Sequence, residues 1–187
     1  MSVLIVLTAS AQVSYGPKIG VNISSINVTS KSFKTSVKPG LYFGGFVNYA
    51  LNPRASFRGE LFYSMEGTKE ISNINSGKIN SGYLTLPVLF RYTAASGIFA
   101  EAGPQISFLL SNKEKWNGST NNIKPYYKSS EFRFPIGIGY HFSNSLQGLS
   151  ANARYSAGFS PINKVEVGAG DLKNRTFSIG FEYNLAK

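Results

Sequence analysis

Apolar and polar residues alternate along most of this chain, most clearly between Phe57 and Tyr92. That stretch holds two alternating runs, FRGELFYSMEG and YLTLPVLFRY, on either side of a spacer rich in Lys, Ser and Asn. In each run one set of alternate positions is apolar, and the other set includes fully charged residues. A period of two places the two sets on opposite faces of a β-strand. The pattern therefore predicts two neighbouring strands, with the inner face still to be decided.

Eight alternating segments follow one another along the chain. Their approximate bounds are 15–26, 38–50, 57–67, 83–92, 98–110, 130–143, 148–160 and 175–185. Short connections alternate with long ones, the short at 51–54, 94–97 and 144–147, and the long at 27–37, 68–80, 111–129 and 161–174. Strict alternation places every long loop at one end of the sheet, which is typical of outer-membrane barrels. The sequence thus predicts an all-β fold, an eight-stranded antiparallel up-and-down transmembrane β-barrel.

The distribution of charge decides which face lies inside. From the third segment to the eighth the apolar set carries no charge. Lipid would impose this exclusion, because a Lys or Arg on the lipid face at mid-membrane costs about 2–4 kcal/mol. The other set is rich in Gly and holds Arg and Glu without Lys, which favours ion pairs in a confined polar space. The predicted interior charge network is Arg58, Glu60, Glu66, Arg91, Glu101, Glu131, Arg133, Arg154 and Glu182. The residues expected to touch lipid include Leu61, Tyr63, Leu84, Leu86 and Phe90.

Aromatic residues and prolines refine this prediction. Tyr and Phe fall near strand ends, as in the aromatic girdles at the two membrane interfaces. The predicted girdles contain Tyr49, Phe57, Tyr92, Phe142 and Tyr183 near the short turns, and Tyr63, Phe108, Phe132, Phe159 and Phe177 near the loops. Pro87 lies in mid-strand, where it removes a ladder hydrogen bond. Because a closed barrel has no edge strand, we predict a β-bulge at Pro87, and Pro104 and Pro135 raise the same expectation.

The net charge of +10 over 187 residues suits nucleic acid, anionic lipid or plain solubility. Most lysines fall in the long connections, which favours the phosphates of lipopolysaccharide over nucleic acid as the partner, with ordinary loop solvation as the alternative. The third long connection is both basic and aromatic, so it is the best candidate surface for a protein partner or for lipopolysaccharide. Its candidate contact residues are Lys113, Lys115, Trp116, Lys124, Tyr126, Tyr127 and Lys128.

The N-terminal segment is the longest apolar run in the chain. Residues 3–11 read VLIVLTASA and end in a small-x-small pattern, which is typical of the apolar region and cleavage site of a secretory signal peptide. The charged region that normally precedes such a segment is missing, so the prediction is a partial signal peptide over 1–11 and a barrel over 12–187. The alternative is a buried first strand. A signal peptide and a barrel together predict the outer membrane of a Gram-negative bacterium.

Several motifs resemble those of one protein family. They are KIGVNIS at Lys18–Ser24, PGLYFGGFVNY at Pro39–Tyr49, GELFYSMEG at Gly59–Gly67, YLTLPVLFRY at Tyr83–Tyr92 and EAGPQISFLL at Glu101–Leu110. In these motifs the sequence resembles the PorT-like outer-membrane β-barrels of Bacteroidetes. The resemblance implies an eight-stranded barrel of a family mostly without assigned activity, whose named member is an accessory of type IX secretion and gliding. It supplies no catalytic residues.

Candidate chemistry is sparse. The absence of Cys excludes disulfides and thiolate metal sites. The single histidine, His141, lies near a short turn, at the wrong end for a catalytic site built from the outer loops. The interior Glu and Arg residues suit ion pairing better than acid–base catalysis or metal ligation. We therefore expect no catalytic residues, no cofactor and no metal.

Four functions remain open at this stage, in decreasing order of support. The first is a structural or interaction barrel of an envelope complex, perhaps a secretion or assembly machinery, since eight strands leave little lumen. The second is a narrow pore or small-solute transport barrel. The third is a soluble lipocalin-like carrier, in which the apolar set would point inward. The fourth is an enzyme that uses His141. The oligomeric state is not indicated.

Overall fold

The computed structural model describes residues 12–28, 35–71, 76–116, 118–143, 146–164 and 171–185. The predicted signal segment, 1–11, lies outside these residues. The strands are β1 Val13–Val28, β2 Thr35–Ser36, β3 Lys38–Ala50, β4 Ala55–Ile71, β5 Ser76–Thr93, β6 Ile98–Ala102, β7 Gln105–Trp116, β8 Ser119–Asn122, β9 Ser130–His141, β10 Leu149–Gly158 and β11 Leu172–Tyr183. A short 3₁₀ helix covers Lys124–Tyr126. Among the described residues, no helix is long and apolar enough to span a membrane.

The strands close into a ring of eight walls, in which β6 and β7 together form one wall between β5 and β9. Strand β1 closes the ring by pairing with β3 on one side and β11 on the other. All of these pairings are antiparallel, so the predicted eight-stranded barrel is confirmed. Closure leaves no open edge among the barrel walls, so their backbone groups are hydrogen-bonded within the protein, as a lipid environment requires.

The apolar positions lie on the outer surface of the barrel. Ile19 and Val21 are 62% and 50% exposed, whereas Lys18 and Asn22 on the same strand are 3% and 1% exposed. The predicted assignment of faces is therefore correct. A lipocalin-like carrier needs the apolar set inside, so that alternative is wrong. Outward aromatic rings pack across strands near the short turns, as in the edge-to-face pair of Phe57 and Phe90, whose ring centroids are 5.7 Å apart.

Three strands run well beyond the membrane on the side of the long connections. Strands β4 and β5 have 17 and 18 residues, although about 9–11 residues suffice for a transmembrane strand. Their ladder continues to the pair Ile71 and Ser76, and β7 pairs with β8 beyond it. The predicted loops 68–80 and 111–129 are therefore largely strand, and their prediction as loops is wrong. Above the membrane both faces of a strand are wet, so the apolar alternation that marks a strand disappears.

These outer parts form one structure, here called the extracellular sheet. It consists of residues 67–71 of β4, 76–82 of β5 and 111–116 of β7, with β2 and β8 at its edges.

The prolines do not produce the predicted bulges. Pro87 pairs with Gln105 and Pro135 pairs with Ser156, without a register shift at either position. Pro104 instead interrupts the predicted strand 98–110 and divides it into β6 and β7. A proline removes a donor, so it opens a gap in the ladder without adding a residue.

The β-bulge lies elsewhere, between β5 and β7. Gly82 pairs with Ser111 but Tyr83 pairs with Leu109, so Leu110 is an extra residue on β7. This one-residue shift changes which way the following side chains of β7 point.

Candidate functional site

The structure places all nine predicted interior charges inside the barrel. Each of them is exposed by 5% or less: Arg58, Glu60, Glu66, Arg91, Glu101, Glu131, Arg133, Arg154 and Glu182. They come from five of the barrel walls together with β6, because every second residue of each strand points inward.

Six of these residues form a closed ring of alternating charge across the lumen. In order around the ring they are Glu60, Arg58, Glu182, Arg91, Glu101 and Arg154. The nitrogen–oxygen distances between neighbours range from 2.5 Å for the pair of Arg154 and Glu101 to 2.8 Å for the pair of Arg154 and Glu60. Each arginine in this charge ring contacts two carboxylates, and each carboxylate contacts two arginines. Such charge-assisted bonds fix the position of every member.

The sequence prediction missed one member of the interior network, Lys18. Its Nζ donates to Glu60 Oε2 at 2.6 Å and lies 4.6 Å from the centre of the Phe62 ring. Adding Lys18 gives five cations and five carboxylates in the interior, so the buried charge is balanced. The signal was present in the sequence, since Lys18 alternates with Asn22 and Ser24 on the polar face of the first segment.

A second, smaller cluster lies closer to the extracellular end. Arg133 donates to Glu66 at 2.8 Å and also contacts Glu131. Asn174 donates to Glu131 at 3.0 Å and to the Tyr83 hydroxyl at 3.1 Å. A chain of uncharged hydrogen bonds runs inward from this cluster. In that chain Asn22 donates to Ser64 at 2.9 Å, and Ser64 donates to Glu66 at 2.9 Å.

Aromatic rings fill the lumen beside the charges. The guanidinium carbons of Arg58 and Arg91 each lie 3.8 Å from a ring centre, of Phe46 and Phe99 respectively. The sequence did not resolve the facing of the segment 38–50, and the structure places Tyr42 and Phe46 inside. These stacked pairs combine a cation–π attraction with dense packing.

Glycines on neighbouring strands make room for the rings. A Cβ at Gly180 would lie 2.0 Å from the Tyr42 hydroxyl, and a Cβ at Gly139 would lie 2.2 Å from the Phe99 ring. The Gly-rich inner face therefore follows from the size of the side chains across the lumen.

Little free space remains inside. The cavity between the charge ring and the outer cluster has a volume of about 20 Å³ and is lined by residues that include Asn22, Ser64 and Ser156. That volume holds about one water molecule. A larger cavity of about 180 Å³ lies at the periplasmic end, where Ser14, His141 and Ser150 contribute to its wall.

His141 lies at the periplasmic end, as the sequence predicts. Its Nδ1 is 2.6 Å from the Ser150 hydroxyl, and its ring packs 4.7 Å from the Phe99 ring. Ser150 is only 3% exposed. In the described part of the chain, no three His, Asp or Glu side chains are grouped so that they could hold a metal ion. The interior glutamates instead accept hydrogen bonds from arginine, lysine and neutral donors.

The predicted contact loop is a folded structure. Lys113, Lys115 and Trp116 lie on β7, which forms a hairpin with β8. Lys124 and Tyr126 belong to the 3₁₀ helix, and Lys128 follows it. Lys124 Nζ donates to the Leu110 carbonyl at 3.0 Å, while Tyr127 forms a β-bridge with Asn163.

The contact residues do not share one face. Trp116 pairs with Gly77 and covers it, whereas Lys115 points to the opposite side of the same strand. Tyr126 is 67% exposed. The aromatic and basic members of the predicted surface are therefore separated, and each group needs its own explanation.

Comparison with known families agrees with this architecture. The sequence matches the family described as outer membrane protein beta-barrel domain over residues 8–164. The chain belongs to this family of outer-membrane β-barrels. It is accordingly a small barrel of the outer membrane of a Gram-negative bacterium, in contact with the lipids of that membrane. No curated protein matches the chain.

Solved structures show the same fold at low sequence identity. Ail, the attachment invasion locus protein of Yersinia pestis, has 13% identity and a TM-score of 0.55, with 93% of this chain and 99% of Ail covered. Neisserial surface protein A has 11% identity and a TM-score of 0.58, with coverage of 90% and 96%. Ail has also been crystallised in complex with the heparin analogue sucrose octasulfate, and that structure gives a TM-score of 0.52 at 14% identity, with coverage of 93% and 99%.

Proposed function

We propose that this protein is a non-catalytic interaction component of the cell envelope, in which a packed barrel holds the extracellular sheet at a fixed position. The charge ring carries the proposal. Six paired charges from five strands cross the lumen, and the cavity next to them has a volume of about 20 Å³. A lumen filled in this way does not favour transport, so the surfaces at the two ends become the functional parts.

The extracellular end offers an aromatic surface for a protein partner. Trp116 lies at the tip of β7, and Tyr126 is 67% exposed on the adjoining 3₁₀ helix. Trp and Tyr are enriched among residues that dominate binding energy at protein interfaces. The resemblance to PorT-like barrels supports the narrower proposal that the partner belongs to a secretion or assembly machinery.

Recovery of the protein in mild detergent from its own membrane tests this proposal. We expect a defined envelope complex, and we expect Tyr126→Ala to weaken it because the side chain is exposed and its removal leaves the hairpin intact. Leu146→Ala is the matched control, since Leu146 is 52% exposed at the opposite end of the barrel. A protein that always purifies alone would contradict the proposal.

Conductance in planar bilayers separates the proposal from a narrow pore. The isolated barrel should give no stepwise current, because the paired charges leave no path for hydrated ions. Stable conductance of the wild-type protein would establish the pore and reject the packed-interior explanation. Arg154→Ala supplies the positive control, since it removes a large side chain from the charge ring and should increase any leak.

A further inference from the structure

We propose that three lysines on the outward face of the extracellular sheet, Lys69, Lys78 and Lys115, form a binding site for the phosphates of the outer-leaflet glycolipid, lipopolysaccharide. The inference rests on the outer-membrane location of the barrel and does not depend on the proposed protein partner. It assigns to the basic residues a role that is separate from that of the aromatic surface around Trp116 and Tyr126.

The three lysines lie in one cross-strand row. Lys69 of β4 pairs with Lys78 of β5, and Lys78 pairs with Lys115 of β7. The row continues into hydroxyl residues on both sides, since Lys69 pairs with Ser36 and Lys115 pairs with Thr120. Residues that lie directly opposite one another have Cβ atoms about 4.5–5.5 Å apart and point to the same face. Three ammonium groups therefore share a patch about 10 Å wide.

The row faces away from the barrel interior. Lys78 and Lys115 are exposed, whereas their strand neighbours Gly77 and Trp116 face the other side and pack together. Thr68, the neighbour of Lys69 on β4, is only 3% exposed. Within the side chains that the structure describes, no ion pair joins these lysines to a carboxylate.

The β-bulge at Leu110 creates this arrangement. If the register of Tyr83 with Leu109 continued along the two strands, Lys78 would face Glu114 and could form an ordinary cross-strand ion pair. The extra residue moves Lys115 into that position and turns Glu114 to the inner side, opposite Ile79. Bulges commonly redirect side chains at functional sites.

The height of the row matches the lipid headgroups. Successive outward rows on β4 and β5 hold Tyr63 with Leu84, Met65 with Gly82, Gly67 with Asn80 and then Lys69 with Lys78. The apolar surface thus ends at Met65, and the lysine row lies two outward rows above it, about 14 Å along the strand at about 3.4 Å per residue. Strand tilt shortens the vertical distance, and long lysine side chains can extend back toward the interface.

Charge supplies the choice of ligand. Like charges placed directly opposite one another destabilise a sheet, and the protein offers no carboxylate to offset them. Anionic headgroups attract lysines near the membrane surface. Among the molecules at this level of the outer leaflet, the phosphates of lipopolysaccharide are compact anions that ammonium groups can bind as point charges.

The test compares two double variants that remove the same charge. Lys78→Gln/Lys115→Gln removes two members of the row, and Lys128→Gln/Lys164→Gln removes two exposed lysines of the same extracellular end outside it. Each folded protein is incubated in detergent with purified rough-type lipopolysaccharide, and retained lipid is counted by native mass spectrometry. We expect the first variant to bind roughly tenfold or more weakly than wild type and the second to bind as wild type does. Equal binding by the wild type and the row variant would overturn the proposal.

Three further arms identify the ligand and protect the test against misfolding. Lipopolysaccharide with its phosphates removed should lose binding to the wild type, and binding that persists would reject phosphate recognition. Soluble heparin should compete poorly, and competition equal to that of lipopolysaccharide would show a general polyanion site instead. Lys78→Arg/Lys115→Arg keeps both charges and should retain the lipid. Recovery of the envelope complex should be unchanged in the row variant, which separates this inference from the proposed partner interaction.

Discussion

The barrel interior and the extracellular sheet treat positive charge in opposite ways. Inside, five cations meet five carboxylates, and four of the cations are arginines held between acceptors. On the outer face of the sheet, three lysines lie side by side without a carboxylate among the described side chains. Charges that lose water on folding must be matched by the protein itself, whereas charges at the membrane surface can be matched by lipid. The difference indicates where the protein ends electrostatically and its environment begins.

The first way to break this contrast is to remove one carboxylate from the interior. Glu60 accepts hydrogen bonds from Lys18, Arg58 and Arg154, so Glu60→Ala leaves three buried cations short of a partner. We expect a loss of about 3–5 kcal/mol in the free energy of unfolding. Urea unfolding in detergent or lipid vesicles measures it. Glu114→Ala is the control because Glu114 lies in the extracellular sheet, and its effect should stay within about 0.5 kcal/mol. Equal effects would show that the charge ring does not stabilise the barrel.

A milder change keeps the charge and removes the geometry. Arg154 donates to Glu60 and to Glu101 through separate nitrogens, and a lysine cannot reproduce that planar fork. Arg154→Lys should therefore lower the free energy of unfolding by about 1.5–3 kcal/mol. The exposed Arg175→Lys change serves as the comparison and should have no measurable effect. A tolerated Arg154→Lys variant would mean that the interior needs only net charge.

Packing in the lumen gives a third test, with two glycines that differ only in their surroundings. A Cβ at Gly180 would meet the Tyr42 hydroxyl at 2.0 Å, whereas a Cβ at Gly59 would meet nothing within 4 Å. Gly180→Ala should cost about 1–3 kcal/mol through overpacking. Gly59→Ala should be neutral or stabilising by up to about 1 kcal/mol, because it restricts the unfolded chain. If both variants unfold alike, the lumen contains more space than the structure indicates.

The alternation of apolar residues was enough to predict the barrel and the facing of its strands. Ile19 and Val21 on one side and Asn22 on the other show a period of two that lipid and a polar core both require. Lys18 was overlooked because the search for interior charge used the strands whose apolar face was free of charge, and the first strand was not among them. The facing of Tyr42 was ambiguous because an aromatic residue suits lipid and a crowded lumen equally.

The lysine row could not be predicted, because it depends on register. Lys69, Lys78 and Lys115 are far apart in the sequence, and a single extra residue at Leu110 decides whether Lys78 faces Glu114 or Lys115. Proline suggested a bulge at Pro87, but a missing donor opens a gap and does not insert a residue. The bulge forms instead where Gly82 adjoins Tyr83. Its position follows from the packing of several strands, which no local pattern contains.

The last prediction sharpens the contrast by reversing the sign of a charge removal. Lys78 lies between two other lysines, so Lys78→Gln should raise the free energy of unfolding in neutral detergent at low salt, by about 0.2–1 kcal/mol. The gain should vanish near 1 M salt, where the screening length falls to about 3 Å. Lys128→Gln, outside the row, should show neither effect. In vesicles that contain lipopolysaccharide the gain should become a loss, because the bound phosphate then favours the lysine. A loss already in neutral detergent would mean that the protein itself stabilises the row, and the outer face would then follow the same rule as the interior.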